Sequence, residues 1–144
     1  MRSPSVVRLA ASVVLAGSTF LPWLRLGDVG LAGVPDPAGY FVLGLGVAGV
    51  ILTVAGRLAR RSLHHAFMLL GLAGLTTLVV VWRIGPSTIA DRAQAHAEAV
   101  ALVNNVAAQP VPPVTVGPGL WLGLAASVVL AALGLSRALR SGQR

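Results

Sequence analysis

The chain has 144 residues, of which 56% are hydrophobic and 10% are charged, a balance typical of an integral membrane protein. It contains no cysteine, which excludes disulfides, thiolate metal sites and S-acylation. Its net charge of +7 comes from arginines spread over three short flanks without interleaved aromatic residues, so we expect no nucleic-acid partner.

Four charge-free apolar runs divide the chain. They cover residues 9–24, 37–56, 66–82 and 119–136 and hold 16, 20, 17 and 18 residues. A helix of about 20 residues measures about 30 Å, the thickness of a bilayer's hydrocarbon core. The predicted fold class is therefore all-α, an integral membrane bundle of four transmembrane helices in a single domain, residues 1–144. With their flanks, the predicted spans are about 6–24, 37–56, 64–83 and 118–137.

The first run follows a short basic segment, as in a secretory signal peptide. Residues 15–18 resemble a lipoprotein cleavage box, but Ser18 stands where such a box needs cysteine. No convincing A-x-A cleavage site follows, and the run continues to Trp23. We therefore expect a retained membrane anchor.

The placement of arginine predicts the orientation of the chain. If the N-terminus is cytoplasmic, eight arginines lie inside and only Arg25, Arg83 and Arg92 lie outside. All four acidic residues then also lie outside. Because cytoplasmic flanks carry an excess of basic residues, we predict a multi-pass protein of the plasma (inner) membrane with both termini inside. The eight inner arginines are Arg2, Arg8, Arg57, Arg60, Arg61, Arg137, Arg140 and Arg144.

Aromatic residues at the predicted span ends support the same orientation. Trp and Tyr favour the membrane–water interface because their rings are apolar on one side and polar on the other. An orientation with both termini inside places all four such residues at the outer interface. These expected interface anchors are Trp23, Tyr40, Trp82 and Trp121.

The two outer loops differ in length. Residues 25–36 are punctuated by Gly and Pro and predict a compact turn. Residues 85–118 form the largest segment in water, and residues 87–108 of it predict an outer amphipathic helix that begins with a capping box at 88–91. We expect this helix to dock across the outer ends of the spans, near Trp82 and Trp121.

One face of the predicted outer helix is polar. Asp91, Gln94 and Glu98 lie along it and form the expected outer recognition face. Residues 109–118 contain four prolines and are expected to be extended, and Pro118 suits the first turn of the fourth span.

Small residues recur at four-residue spacing in two spans. They are Gly119, Gly123, Ser127 and Ala131 in the fourth span, and Gly44 and Ala48 in the second. Such stripes let helix backbones approach closely. We expect them to pack helices within the bundle, and the alternative is a contact between copies in a homo-oligomer.

The chain offers few groups for chemistry. No ionisable residue lies at the middle of a predicted span, which argues against coupled transport. His64 and His65 are adjacent and point about 100° apart on a helix, while Asp91, His96 and Glu98 fall on different helix faces, so we predict no metal site. No nucleophile has a base at similar depth, so we expect no enzyme activity and no cofactor.

The layout resembles a known family. Span one ends in Phe20-Leu21-Pro22-Trp23, span two ends in an Arg-rich joint, and Trp121 opens span four. With the Gly, Ala, Val and Arg bias and the lack of Lys, this order is similar to small four-span actinobacterial membrane proteins, nearest the tryptophan-operon-associated membrane protein family. The resemblance implies a four-span membrane fold and no assigned chemistry.

These features predict a non-enzymatic accessory or assembly component of a plasma-membrane complex. Its outer helix and its Gly/Ala helix faces would contact another membrane protein or a second copy. One alternative is an oligomeric channel or an uncoupled transporter of lipids or small molecules. A second alternative is an envelope sensor that acts through residues 85–118. Membrane lipids are expected partners in each case.

Overall fold

The computed structural model describes residues 4–58 and 63–141. The chain is mostly helical (75%), as predicted. The elements in chain order are α1 (Pro4–Ser18), β1 (Pro22–Leu26), β2 (Val29–Ala32), α2 (Pro37–Leu58), α3 (His64–Asn104), β3 (Val114–Val116) and α4 (Pro118–Ser141). Four arginines used to predict the orientation lie outside the described residues: Arg2, Arg60, Arg61 and Arg144.

Three of the helices, α2, α3 and α4, are long and apolar enough to cross a membrane. Helix α4 begins at Pro118, the residue at which the last span is predicted to begin. Helix α1 is apolar but has only 15 residues. At 1.5 Å per residue it measures about 22 Å, less than the hydrocarbon core of a bilayer.

The helices alternate in direction, so the three strands gather at one end of the bundle, called here the sheet end. The opposite end, called the joint end, contains the last residue of α2, Leu58, and the first residue of α3, His64. Helix α4 packs against α1 and α3, α1 also packs against α2, and α2 approaches α3 only sparsely. The fully buried apolar side chains include Leu15, Val42, Phe67, Leu78, Leu120 and Leu130.

The predicted first span, 6–24, is too long, because α1 ends at Ser18. The hydroxyls of Ser18 and Thr19 donate to the carbonyls of Leu15 and Ala16, each at 2.7 Å, and so compete with the backbone amides for these acceptors. Pro22 follows and has no amide hydrogen with which to continue a helix. The chain therefore leaves the helix and enters β1.

Residues 25–36 do not form a simple compact turn, and the fold is not all-α. Strands β1 and β2 form a hairpin, and β3 pairs with the other edge of β1, giving an antiparallel sheet in the order β2-β1-β3. Leu24 lies opposite Leu31 on one side and Val116 on the other. Gly27 turns the hairpin at φ 58°, a left-handed conformation that glycine adopts without a steric penalty.

The predicted separate helix at 87–108 is also wrong. Helix α3 runs without interruption for 41 residues and contains Pro86. No capping box opens at residue 88, because the hydroxyl of Thr88 donates to the carbonyl of Ile84 one turn back at 3.0 Å. The segment thus continues the same helix instead of folding back near Trp82 and Trp121.

Helix α3 ends four residues before the predicted boundary. Asn105 adopts the left-handed conformation, and the amide of Val106 donates to the carbonyl of Ala101 at 3.0 Å. This pattern satisfies carbonyls that would otherwise be free at a helix C-terminus. The chain then returns to the sheet through β3, which lies inside the segment 109–118 that was expected to be extended.

Candidate functional site

The small residues of α4 lie at helix contacts within the chain. A Cβ atom at Gly123 would lie 2.9 Å from Ser18 Oγ on α1 and 3.0 Å from Leu78 Cδ1 on α3. Gly119 lies against the same end of α1, at Ser18 and Leu21.

Further along α4, Ser127 is fully buried, and its Oγ lies 2.8 Å from where a Cβ at Gly74 would stand. The backbone of Ala131 adjoins Gly71. The small-residue stripe therefore lets α4 approach both α1 and α3.

Helix α2 uses a different stripe from the one expected. Gly44 is exposed and a Cβ there would meet nothing within 4 Å, while Ala48 is only half-buried. Gly46 and Gly49 instead face Ala16 and Ser12 of α1. Every third or fourth residue of α2 is buried, which is the spacing of one face of a helix. A search for small residues at four-residue spacing alone does not find this face. The buried positions are Gly39, Val42, Gly46, Gly49 and Thr53.

The four aromatic residues expected at the interface separate into two groups. Trp82 and Trp121 are exposed at the sheet end, with ring centroids 6.0 Å apart and ring planes inclined by 55°. Tyr40, near the start of α2, is also exposed. Trp23 is only 3% exposed, lies on β1, and donates from its indole nitrogen to the carbonyl of Ser18 at 2.8 Å. It is a core residue.

The expected recognition face lies on the far part of α3. Asp91, Gln94 and Glu98 are all exposed. The amide of Gln94 donates to a carboxylate oxygen of Glu98 at 2.8 Å, so these two side chains are brought together across one helical turn. Residues 91–104 of α3 are called the stalk below.

The stalk also exposes aliphatic side chains that the sequence analysis did not single out. Leu102 is 83% exposed and Val103 is 85% exposed, at the end of α3. Val100 and Val106 add further exposed apolar surface nearby. Ala101 is buried at the point where the chain turns back. The end of α3 therefore presents exposed apolar surface.

A cavity of about 620 Å³ opens at the sheet end between the hairpin, the start of α2 and the middle of α3. Its walls are largely apolar, with Leu24 and Leu31 from the hairpin and Val81, Ile84 and Ile89 from α3. Such a volume falls in the range of small-molecule sites, about 300–1,000 Å³. We call it the sheet-end cavity.

Two opposite charges line this cavity. Asp36 caps the start of α2, where one carboxylate oxygen accepts the amide of Ala38 at 2.9 Å and Pro37 occupies the first helical position. Arg92 reaches the cavity from α3. No nitrogen–oxygen distance within 4.0 Å joins these two described residues in a salt bridge.

The sequence analysis did not predict that Asp36 and Arg92 line one cavity, because the two residues lie on different elements and far apart in sequence. The Asp-Pro pair alone does indicate the start of a helix, which is a local signal. Within residues 4–58 and 63–141, no group of three or more His, Cys, Asp or Glu side chains could hold a metal ion. No protein-family model matches this chain, and a search of curated proteins finds no match.

Proposed function

We propose that the chain is a four-span plasma-membrane protein with cytoplasmic termini, and that it serves as a non-enzymatic accessory component of a membrane complex. Three apolar helices of sufficient length support the membrane location. The observation that carries the accessory role is the stalk, whose tip exposes Leu102 and Val103.

The fourth span in this proposal is α1. It lies between α2 and α4, both long enough to cross the bilayer, and it exposes Val6, Val13 and Val14 on its outer surface. Apolar surface continues past the helix end through Phe20 and Leu21, which extends its short apolar length. A bilayer accommodates a modest mismatch by local thinning at a small energetic cost.

The length of α3 supports a stalk that lies outside the bilayer. Forty-one residues measure about 61 Å, about twice the thickness of the hydrocarbon core. If the helix crosses the membrane from His64 to about Arg83, the remaining residues extend about 30 Å from the sheet end.

Exposed aliphatic side chains at the end of such an extension favour a binding partner. Leu102 and Val103 are separated from the lipid by several turns of polar helix that includes Asp91 and Glu98. Contiguous apolar surface in water marks interaction sites, because burying it against a partner is favourable. We propose that the partner is a second membrane protein with an apolar surface at the same distance from the bilayer as Leu102 and Val103.

The test is photo-crosslinking in intact cells. A photoreactive amino acid at position 103 should yield one dominant heteromeric adduct. Leu102→Gln should remove that adduct. The control is Val29→Gln, which also replaces an exposed aliphatic residue by glutamine but lies on β2, and it should leave the adduct intact. Only self-adducts at position 103, or an adduct that Leu102→Gln leaves unchanged, would contradict the accessory role.

A further inference from the structure

The sheet-end cavity is graded in polarity along α3. Its α3 wall extends from Val80 to Arg92, which is about 18 Å along a helix axis. Val80, Val81 and Ile84 line the part nearest the middle of the bundle, and Thr88 and Arg92 line the part farthest from it. The cavity is therefore apolar at one end and charged at the other.

This gradient coincides with the expected edge of the bilayer. Trp82, beside the apolar part of the cavity, is exposed and packs against Trp121, and such rings favour the membrane–water interface. Helices α2 and α3 make few contacts with each other. A lipid chain can therefore enter from the side. The Cα atom of Arg92 lies about 14 Å beyond Arg83 along the helix axis, and a long arginine side chain can reach back toward a headgroup because helical side chains tilt toward the helix N-terminus.

The two charged residues complement a headgroup with two charges. The guanidinium of Arg92 matches the geometry of a phosphate. One carboxylate oxygen of Asp36 accepts a hydrogen bond from the backbone amide of Ala38, and the second accepts no hydrogen bond from any described residue. Because the two side chains form no salt bridge with each other, each can bind a separate part of a ligand.

We propose that the sheet-end cavity binds one zwitterionic aminophospholipid from the bilayer. Its phosphate lies at Arg92, its ammonium group donates to Asp36, and part of one acyl chain lies along Val80, Val81 and Ile84. A volume of about 620 Å³ suits a headgroup and part of a chain, while the rest of the lipid stays in the membrane. This site goes beyond the accessory role: it shares Arg92 with the first turn of the stalk but does not involve the stalk's tip.

Native mass spectrometry of the purified full chain tests the proposal, with phosphatidylethanolamine and phosphatidylglycerol of identical acyl chains as probes. We expect one phosphatidylethanolamine to be retained about tenfold more strongly than phosphatidylglycerol, as expected for one charge-assisted hydrogen bond. Asp36→Asn should abolish this preference, because asparagine keeps the helix cap but loses the charge.

Arg92→Gln should weaken retention of both lipids, and the matched control Arg83→Gln, an exposed arginine of α3 that does not line the cavity, should change neither. Equal retention of the two lipids by the unaltered chain would overturn the proposal. So would an Arg92→Gln variant that behaves like Arg83→Gln.

A second measurement locates the lipid independently of affinity. In a Trp82→Phe/Trp121→Phe background, Trp23 is the remaining tryptophan, and it lines the cavity while being almost fully buried. A phosphatidylethanolamine with brominated acyl chains should quench its fluorescence, and Arg92→Gln should remove the quenching. Absence of quenching in the unaltered cavity would place the lipid elsewhere and refute the site.

Discussion

The indole nitrogen of Trp23 lies 2.8 Å from the carbonyl oxygen of Ser18 and donates a hydrogen bond to it. This bond joins the end of α1 to the first strand of the sheet. A second donor, the amide of Val34, reaches the neighbouring carbonyl of Thr19 at 3.0 Å. Donors from the sheet and the following loop thus satisfy carbonyls that the end of α1 leaves without helical partners.

Trp23→Phe should destabilise the protein by about 1–3 kcal/mol, because it removes this buried donor and some of the packing around it. The measurement is the apparent melting temperature in mild detergent. Trp121→Phe is the matched control, since Trp121 is 54% exposed and its ring loses little burial. Equal shifts for the two variants would show that the hydrogen bond has no special role.

Gly123→Leu should reduce thermal stability strongly, because a side chain there meets Ser18 and Leu78 at contact distance. Gly44→Leu makes the same change on α2, at a position where a Cβ atom would meet nothing within 4 Å, and it should be tolerated. Melting temperature and elution volume in detergent would be compared for both. If Gly44→Leu alone alters the elution volume, then α2 rather than α4 forms a contact between copies.

The continuity of α3 can be measured directly, because the chain has no native cysteine to remove before labelling. Spin labels at Leu69→Cys and Val103→Cys should lie about 51 Å apart along an unbroken helix. A helix that broke at Pro86 and lay across the bundle would give a clearly shorter distance. The pair Leu69→Cys and Ile84→Cys, about 22 Å apart, is the control because both positions precede the proline.

The orientation predicts the location of reporters. A reporter fused after Arg144, or inserted within residues 57–65, should be cytoplasmic because these flanks hold most of the arginines. One inserted within 93–108 should be external. Protease or dye access to the C-terminus on intact cells would reverse the proposed orientation.

Hydropathy was sufficient to predict the apolar helices, because burial in lipid requires long runs without charge. The hairpin was missed even though Gly27-Asp28 between two apolar strands is a local turn signal, since the run through Trp23 also fits a membrane span. The capping box predicted at 88–91 separates two helices, but helix α3 continues through Pro86. Gly85, Ser87 and Thr88 have low helix propensity, so local propensity does not indicate this continuity.

The cavity could not be predicted from sequence patterns. Asp36 has a local role as a helix cap and Arg92 lies on an exposed turn of helix, so neither position indicates the other. Their approach depends on how the hairpin packs against α3, which is set by contacts between distant segments. Only the folded chain brings a carboxylate and a guanidinium to the same apolar cavity.

The pairing of β1 with β3 has a consequence for biogenesis. Arg25 lies opposite Thr115, 90 positions later in the chain. During synthesis, β1 can pair with β2 at once, but its other edge must wait until all of α3 has emerged. An unpaired strand edge is prone to wrong associations, and closing so long a loop is slow. The sheet can therefore be completed only after α1, α2 and α3 have all been synthesised.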